Sequence, residues 1–287
     1  MSPITGPSGQ RLILGIRPLK PTIITSRDNS LLRRARAVRD GQLTGLIFVE
    51  GLRLCAEALR SGLDIEAVIY SEEIAQKERA ANLVGELSRI CERLASVSEK
   101  LLATISYTKT PQGIIALAAR PVSGQAKLQI SEDVPPLLAV MHGINNPVNV
   151  GAIVRSAEAA GVTGVITTEH TTDPFSPKAL RGAMGSAFRL PFWMGPGYSD
   201  ILGWCRERGI KTVCADVEAA TPYTDIDWKR SRALIVGPEA TGLTTDEIAA
   251  AGQSVKIPMQ GNVESLNVAV AASIVLYEAA RQRARHT

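Results

Sequence analysis

Short, nearly continuous apolar runs alternate along this chain with longer stretches in which apolar residues recur every three or four positions. Runs of the first kind fit strands buried on both faces, and stretches of the second fit helices that bury one stripe. The pattern predicts a basic amphipathic helix from Leu31 to Val38 ended near Gly41, a strand at Leu46-Ile47-Phe48-Val49, and a helix from Leu52 to Leu59 closed by Gly62. It continues with a strand from Ala67 to Tyr70, a mostly helical stretch from Ile74 to Leu94 with Gly85 as its weak point, a short helix from Ser98 to Ala103, and a strand from Ile114 to Ala119. Strands and helices alternating in this way imply a compact α/β/α sandwich.

Pro121 to Pro136 holds Gly, Ser, Gln and three prolines without periodicity, and reads as a linker. Beyond it, strands are predicted at Leu137 to Val140, Gly164 to Thr167, Pro191 to Met194, Lys211 to Ala215, Ala233 to Val236 and Ser254 to Ile257. Helices are predicted from Val150 to Ala160, Lys178 to Phe188, Asp200 to Arg208, Thr245 to Ala250 (capped by Thr244 or Thr245) and Leu266 to Arg285. Apolar strands separated by helices argue for a parallel sheet covered on both faces. The chain therefore divides into a flexible Pro- and Gly-rich extension (1–20), a first unit (21–120), the linker (121–136) and a second unit (137–287).

Composition adds limits. Aromatic residues make up 4% of the 287 positions, which argues against a base-stacking platform built on Phe and Tyr. The net charge of +4 is mildly basic, but its distribution is uneven. Arg11, Arg17, Lys20, Arg27, Arg33, Arg34, Arg36 and Arg39 crowd the first forty positions, opposed only by Asp28 and Asp40. A solvated helix face is the plainer reading; the choice of Arg, whose planar fork pairs with phosphate, favours RNA contact. The four cysteines show no CxxC spacing, which points to buried reduced thiols in a cytoplasmic protein and away from a metal site. No apolar run reaches membrane-spanning length, so no membrane partner is expected. The three histidines fit no catalytic spacing.

Three loops of the second unit follow predicted strand ends, where open parallel sheets bind ligands. The first, Asn145-Asn146-Pro147-Val148-Asn149-Val150-Gly151, leads into a helix carrying Arg155, and Gly151 permits close backbone approach. The second, from Ile235 through Gly237-Pro238-Glu239 to Gly242-Leu243, is a glycine-bracketed turn able to offer backbone N–H groups, without the fingerprint of a dinucleotide or nucleoside triphosphate site. The third runs from Ile257-Pro258-Met259 through Gly261 to Ser265-Leu266-Asn267 at the mouth of the long final helix, where hydroxyl, amide and backbone donors meet the helix dipole.

In order and spacing these loops resemble the three motifs of the SpoU/TrmH family of RNA 2'-O-methyltransferases, in the SPOUT superfamily. Asn146-Pro147-Val148-Asn149-Val150-Gly151 with Arg155, Gly237-x-Glu239-x-x-Gly242, and Ile257 to Val268 with Ala271 and Leu276-Tyr277-Glu278 carry the likeness, as do Ser176 to Ser186 and Phe48-Val49-Glu50-Gly51. Two positions depart from the pattern: Asn146 stands in the usual acidic place, and Pro238 replaces a polar residue. The resemblance implies a C-terminal domain with a deep trefoil knot, a ribosomal L30e-like substrate-binding domain before it, and a homodimer whose sites borrow residues from both subunits. It implies S-adenosylmethionine as cofactor, held near Ile235, Val236, Gly237, Ile257, Met259, Ser265 and Leu266. It further implies attack of a ribose 2'-oxygen on the sulfonium methyl, with Arg155 in the place the family gives a general base; because a guanidinium is very hard to deprotonate, Arg155 is read here as a cation beside the hydroxyl. Ser265 and Asn267 would orient ribose and cofactor, Asn149 would orient Arg155 or the target, and Glu239 would accept a proton or hold Arg155 or a loop amide. Arg27, Arg33, Arg34, Arg36, Lys178 and Arg181 are the expected RNA contacts. The implied substrate is structured RNA, 23S ribosomal RNA ahead of transfer RNA; a non-catalytic RNA-binding assembly factor is the rival reading.

Overall fold

The structure is a computed structural model that describes residues 18–128, 130, 134–261 and 263–284, so most of the expected N-terminal extension lies outside the described residues. Two sheets organise it. In the first, β1 (Thr22–Ile24), β2 (Leu46–Glu50), β3 (Ile65–Ser71), β4 (Arg93–Val97) and β5 (Ile114–Ala119) lie in the order β1-β4-β3-β5-β2. The pairs β1–β4 and β3–β4 are parallel, while β5 runs antiparallel to β2 and β3. Successive side chains of a strand point to opposite faces. Phe48 accordingly packs with Leu32 and Ala35 of α1 (Ser30–Arg39) and with Leu101 and Leu102 of α4 (Glu99–Ala103), while Ile47 and Val49 pack with Leu54 of α2 (Leu52–Arg60) and Leu83 of α3 (Glu78–Leu87). The expected sandwich follows from this alternation.

Strand β4 corrects the expected helix over 74–94. The helix stops at Ser88, whose hydroxyl donates to the Gly85 carbonyl at 2.8 Å, and residues 93–97 become a strand. Ala95 and Ser96 carry little strand propensity; burial between β1 and β3 decides the outcome. The predicted linker is docked where described: Leu128 is buried against Leu138, and a Cβ on Gly164 would meet it.

The second sheet contains β6 (Leu137–Met141), β7 (Gly164–Thr167), β8 (Phe192–Met194), β9 (Lys211–Ala215), β10 (Arg232–Val236) and β11 (Gln253–Val255) in the order β11-β9-β10-β6-β7-β8. Every pairing is parallel. Helices α5 (Pro147–Ala159), α6 (Pro177–Ala183), α7 (Ser186–Arg189) and α10 (Val268–Arg283) contribute to the core on one face, and α8 (Tyr198–Glu207) and α9 (Thr245–Ala251) to the core on the other. The helix expected from Lys178 to Phe188 is broken in two: Met184 takes a left-handed conformation (φ 50°) and Gly185 follows at φ 96°. The break seats Gly185 against α2, where a Cβ would lie 2.8 Å from Glu57 Cβ. Arg189 then donates to Glu57 Oε2 at 2.7 Å and to Glu158 Oε2 at 2.9 Å, tying the first sheet's helix to α5.

Because β11, β9, β10 and β6 are parallel neighbours, the loops that leave their C-terminal ends converge at one edge of the sheet.

Candidate active site

At that edge lies an open cleft of about 930 Å³. Its walls come from all four loops: Asn145, Asn146 and Asn149 after β6, Asp216 and Val217 after β9, Gly237 to Leu243 after β10, and Ile257, Met259, Ser265, Leu266 and Asn267 after β11.

Polar side chains far apart in sequence meet here. Asn149, buried at the start of α5, donates from Nδ2 to Glu239 Oε1 at 3.0 Å and accepts at Oδ1 from Asn267 Nδ2 at 3.2 Å. Asn267 is the N-cap of α10, its Oδ1 accepting from the Ala269 amide at 3.0 Å. Glu239 also faces the backbone amides of Asn145 (3.4 Å) and Asn146 (3.3 Å). Burial works against its charge, yet the hydrogen bonds from Asn149 and the loop amides hold its carboxyl below the usual range. A carboxylate so held is a weak proton acceptor; it ties the first loop to the second. Glu239→Ala is therefore expected to destabilise the chain at neutral pH by about 1 kcal/mol, a modest figure because solvent screens this exposed group. A depressed folded-state pKa gives stability that is present above the unfolded value of about 4.3 and lost as pH falls through the folded one. Denaturant titrations should show the wild-type advantage at pH 7 and its decline in acid; an advantage that does not shrink as the pH falls below the unfolded value would reject the role.

Both departures from the motif pattern sit at defined places in the loops. Asn146 is the N-cap of α5, its Oδ1 accepting from the Val148 amide at 2.9 Å, a task Asn performs as well as Asp. The Pro238 carbonyl accepts from the Gly242 amide at 2.9 Å and closes the turn. Gly237 permits that turn, since a Cβ there would sit 2.9 Å from the Leu243 amide nitrogen. Gly151 has a different reason: a Cβ would strike the Ala179 carbonyl oxygen and come within 2.9 Å of Gly182 Cα, so it serves the crossing of α5 and α6.

Of the expected cofactor residues, Val236, Gly237, Ile257, Met259, Ser265 and Leu266 line the cleft. Ile235 does not; its side chain points to the opposite face of β10 and is fully buried among Val140, Ile166 and Leu243. Arg155 is exposed on α5 and does not line the cleft of its own chain. Lys178 and Arg181 are exposed on α6, as are Arg27 and Arg33 around α1. Arg34 and Arg36 are otherwise engaged: Arg34 grips Glu66 with two bonds of 2.6 Å, and Arg36 donates to the Arg27 carbonyl at 2.9 Å. Facing an acid already, Arg34 is a poor phosphate ligand; Arg36 is half-buried, with its Nη1 buried and unpartnered. Sequence reading missed Asp216 and Val217; the signal was a polar residue directly after the predicted strand Lys211 to Ala215. All four cysteines are free and buried, with burial pushing Cys55 up to about 12 and Cys214 up to about 11. Among the described residues no group of His, Cys, Asp and Glu could hold a metal ion, and no helix is long and apolar enough to cross a membrane.

The stretch 136–277, which includes every cleft residue, matches the sequence profile of the SpoU rRNA Methylase family, and 31–116 matches that of an MRM3-like substrate binding domain. The 23S rRNA (guanosine(2553)-2'-O)-methyltransferase of Bacillus subtilis is 31% identical over 236 residues, covering 82% of this chain and 88% of that enzyme. The chain belongs to the SpoU methylase family. Two solved methyltransferase structures share its architecture. AviRb from Streptomyces viridochromogenes in complex with AdoMet superposes with a TM-score of 0.79 at 27% identity, covering 89% of this chain and 98% of that one. An AdoMet-bound rRNA methyltransferase from Sinorhizobium meliloti superposes with a TM-score of 0.76 at 31% identity, covering 91% and 97%. The parallel sheet of this SpoU chain is thus the family's α/β fold, preceded by the substrate-binding domain.

Proposed function

We propose that this chain methylates a ribose 2'-hydroxyl of RNA, that the RNA is 23S ribosomal RNA, and that S-adenosylmethionine is the donor. The observation that carries the reading is the convergence of all three motif loops on one cleft whose polar centre is Asn149, Glu239 and Asn267. The cleft suits the cofactor chemically: Val236, Leu243, Ile248, Ile257 and Met259 offer apolar contact to a flat base, and the glycine-bracketed loop places backbone groups at its rim. When bound, the cofactor supplies an electrophilic methyl group. The chain's own residues do the rest. Ser265, Leu266 and the end of β10 hold the donor, and Asn149 and Asn267, each fixed by the other, orient the polar groups between them. Glu239 is a positioning residue for the first two loops.

Arg155 lies outside its own cleft, so we assign it to the site of a second subunit. Support comes from the surface around it: Val148 on α5 and Val270 and Tyr277 on α10 are exposed, an apolar face that a homodimer would cover. A guanidinium beside the target hydroxyl lowers that hydroxyl's pKa without losing its own proton. We further propose that the segment between β11 and α10 is threaded as the trefoil knot of the SPOUT fold, that the first sheet is L30e-like, that the unit boundaries fall near residues 20, 120 and 136, and that the enzyme works in the cytoplasm. Arg27, Arg33, Lys178 and Arg181, all exposed, are the proposed phosphate contacts.

The test is direct. Purified protein, S-adenosylmethionine with a labelled methyl group and unmodified 23S rRNA should yield label at one ribose 2'-oxygen, mapped by nuclease-resistant linkages. RNA binding with no saturable cofactor binding by calorimetry would favour a non-catalytic assembly factor instead.

A further inference from the structure

We propose that Tyr107 is a stacking platform for one unpaired base of the RNA substrate, presented by a loop that Glu50 and Arg39 hold rigid, with Arg53 and Lys109 taking the neighbouring phosphates. The inference rests on the RNA-modifying reading above and assigns specific residues of the first sheet to it.

The first sheet holds a buried acid that the chemistry does not use. Glu50 ends β2 and is 7% exposed. One carboxylate oxygen accepts from the Ser106 hydroxyl and from Thr108 Oγ1 (2.8 Å), and the other from the Tyr107 amide at 2.9 Å. From the other side, Arg39 of α1 donates to the carbonyls of Thr104 (3.4 Å) and Ser106 (3.3 Å). The far end of the loop is fixed too: Gly113 (φ +80°) packs so closely on Ile74 that a Cβ would lie 2.7 Å from its side chain. A buried carboxyl bonded to three successive residues of a surface loop makes a stiff loop.

Stiffness alone would be structural. What the stiff loop displays is the second observation. The chain has five Tyr, four Phe and three Trp. Among them only Tyr107, 43% exposed, and Tyr277 on α10 stand in solvent. Tyr277 belongs to the face assigned to the second subunit. Tyr107 sits instead at the end of the first sheet, on a backbone that is already ordered, so a base can stack on it at little further entropic cost. The residues around it suit a polyanion. Lys109 is exposed in the same loop, and Arg53 is exposed in the first turn of α2, three residues after Glu50. Gln112 also lies here, its side chain over Gly51, where a Cβ would come within 3.1 Å of it. The carboxyl beneath the loop, Glu50, is buried, and the Arg39 guanidinium beside it offsets its field.

The experiment measures binding of in vitro-transcribed 23S rRNA, alongside cofactor affinity and thermal unfolding, for wild type, four single variants and the Glu50→Gln/Tyr107→Ala double variant. Tyr107→Ala is expected to weaken RNA binding about tenfold or more and Tyr107→Phe by less than about twofold, because stacking needs the ring and not the hydroxyl. Cofactor affinity should not change. Lys109→Gln should reduce the slope of log affinity against log salt by about one phosphate contact. Glu50→Gln should weaken RNA binding in the wild type yet add nothing to Tyr107→Ala, the non-additivity expected of a positioning residue. RNA affinity of Tyr107→Ala equal to wild type overturns the proposal while leaving the methyltransferase reading intact. Tyr107-dependent binding without methyl transfer supports the platform and removes the enzymatic reading. A wild-type protein that binds no RNA overturns both.

Discussion

Arg155→Ala is expected to lower methyl transfer by about 10²–10³-fold, the loss typical of removing one stabilising group from a developing oxyanion, while cofactor affinity stays within about twofold. The cofactor residues and Arg155 occupy different surfaces of one chain: Val236, Met259 and Ser265 line the cleft, and Arg155 projects from the exposed side of α5. If the guanidinium completes the site of a second subunit, its loss leaves each cofactor cleft whole and each reaction centre incomplete. Subunit mixing makes this sharper. Asn267→Ala damages the cleft itself, removing both the cap of α10 and the bond to Asn149. Equal amounts of the two inactive variants, allowed to exchange subunits, should recover about a quarter of wild-type activity, since half the dimers are mixed and each carries one intact site. Full activity in Arg155→Ala would remove this residue from the chemistry, and no recovery on mixing would confine it to its own subunit.

Gly151→Ala should cost about 1–3 kcal/mol or more, the range of overpacking a filled interior, and lower the melting temperature by several degrees for a chain of this size. The added carbon would meet backbone on every side: the Ala179 carbonyl, Gly182 Cα at 2.9 Å and the Ala183 amide nitrogen at 3.0 Å. Backbone cannot swing aside as a side-chain tip can, so α5 and α6 must separate, and Asn149 moves with α5. Gly203→Ala offers the opposite case. Gly203 lies in α8 with nothing within 4 Å of its would-be Cβ, and Ala is the better helix former by about 0.5–1 kcal/mol. The same substitution should raise the melting temperature there. Thermal unfolding of both variants decides; equal shifts would mean that the helix crossing tolerates a methyl group.

These two glycines show how far the residues could be read in order. Both lie in helical patterns, and nothing in the letters around them separates a glycine wedged between helices from one facing open space. The same holds for the arginines of α1. Their periodicity placed them on the polar face, but only the position of Glu66 on β3, thirty-two residues away, shows that Arg34 is occupied while Arg33 is free for solvent. Ile235 and Val236 are equally apolar neighbours, yet alternation sends one into the core and the other to the cleft. Strand β4 escaped notice because Ala95 and Ser96 favour no strand by themselves, and the helix before it obscured its start.

What the sequence determined by itself is local and repetitive: the alternation of apolar strands with amphipathic helices, the parallel second sheet, and three polar loops placed after strand ends. Those follow from side-chain periodicity and from the conformations Gly, Pro and Asn permit, which need no distant partner. Tertiary structure alone decided which of those residues meet. Asn149 is joined to Glu239 across 90 residues and to Asn267 across 118, and such contacts exist only because parallel pairing brings the ends of β6, β10 and β11 to one edge. It also turned Arg155 outward, since a helix has one face against its sheet and α5 spends that face on the core.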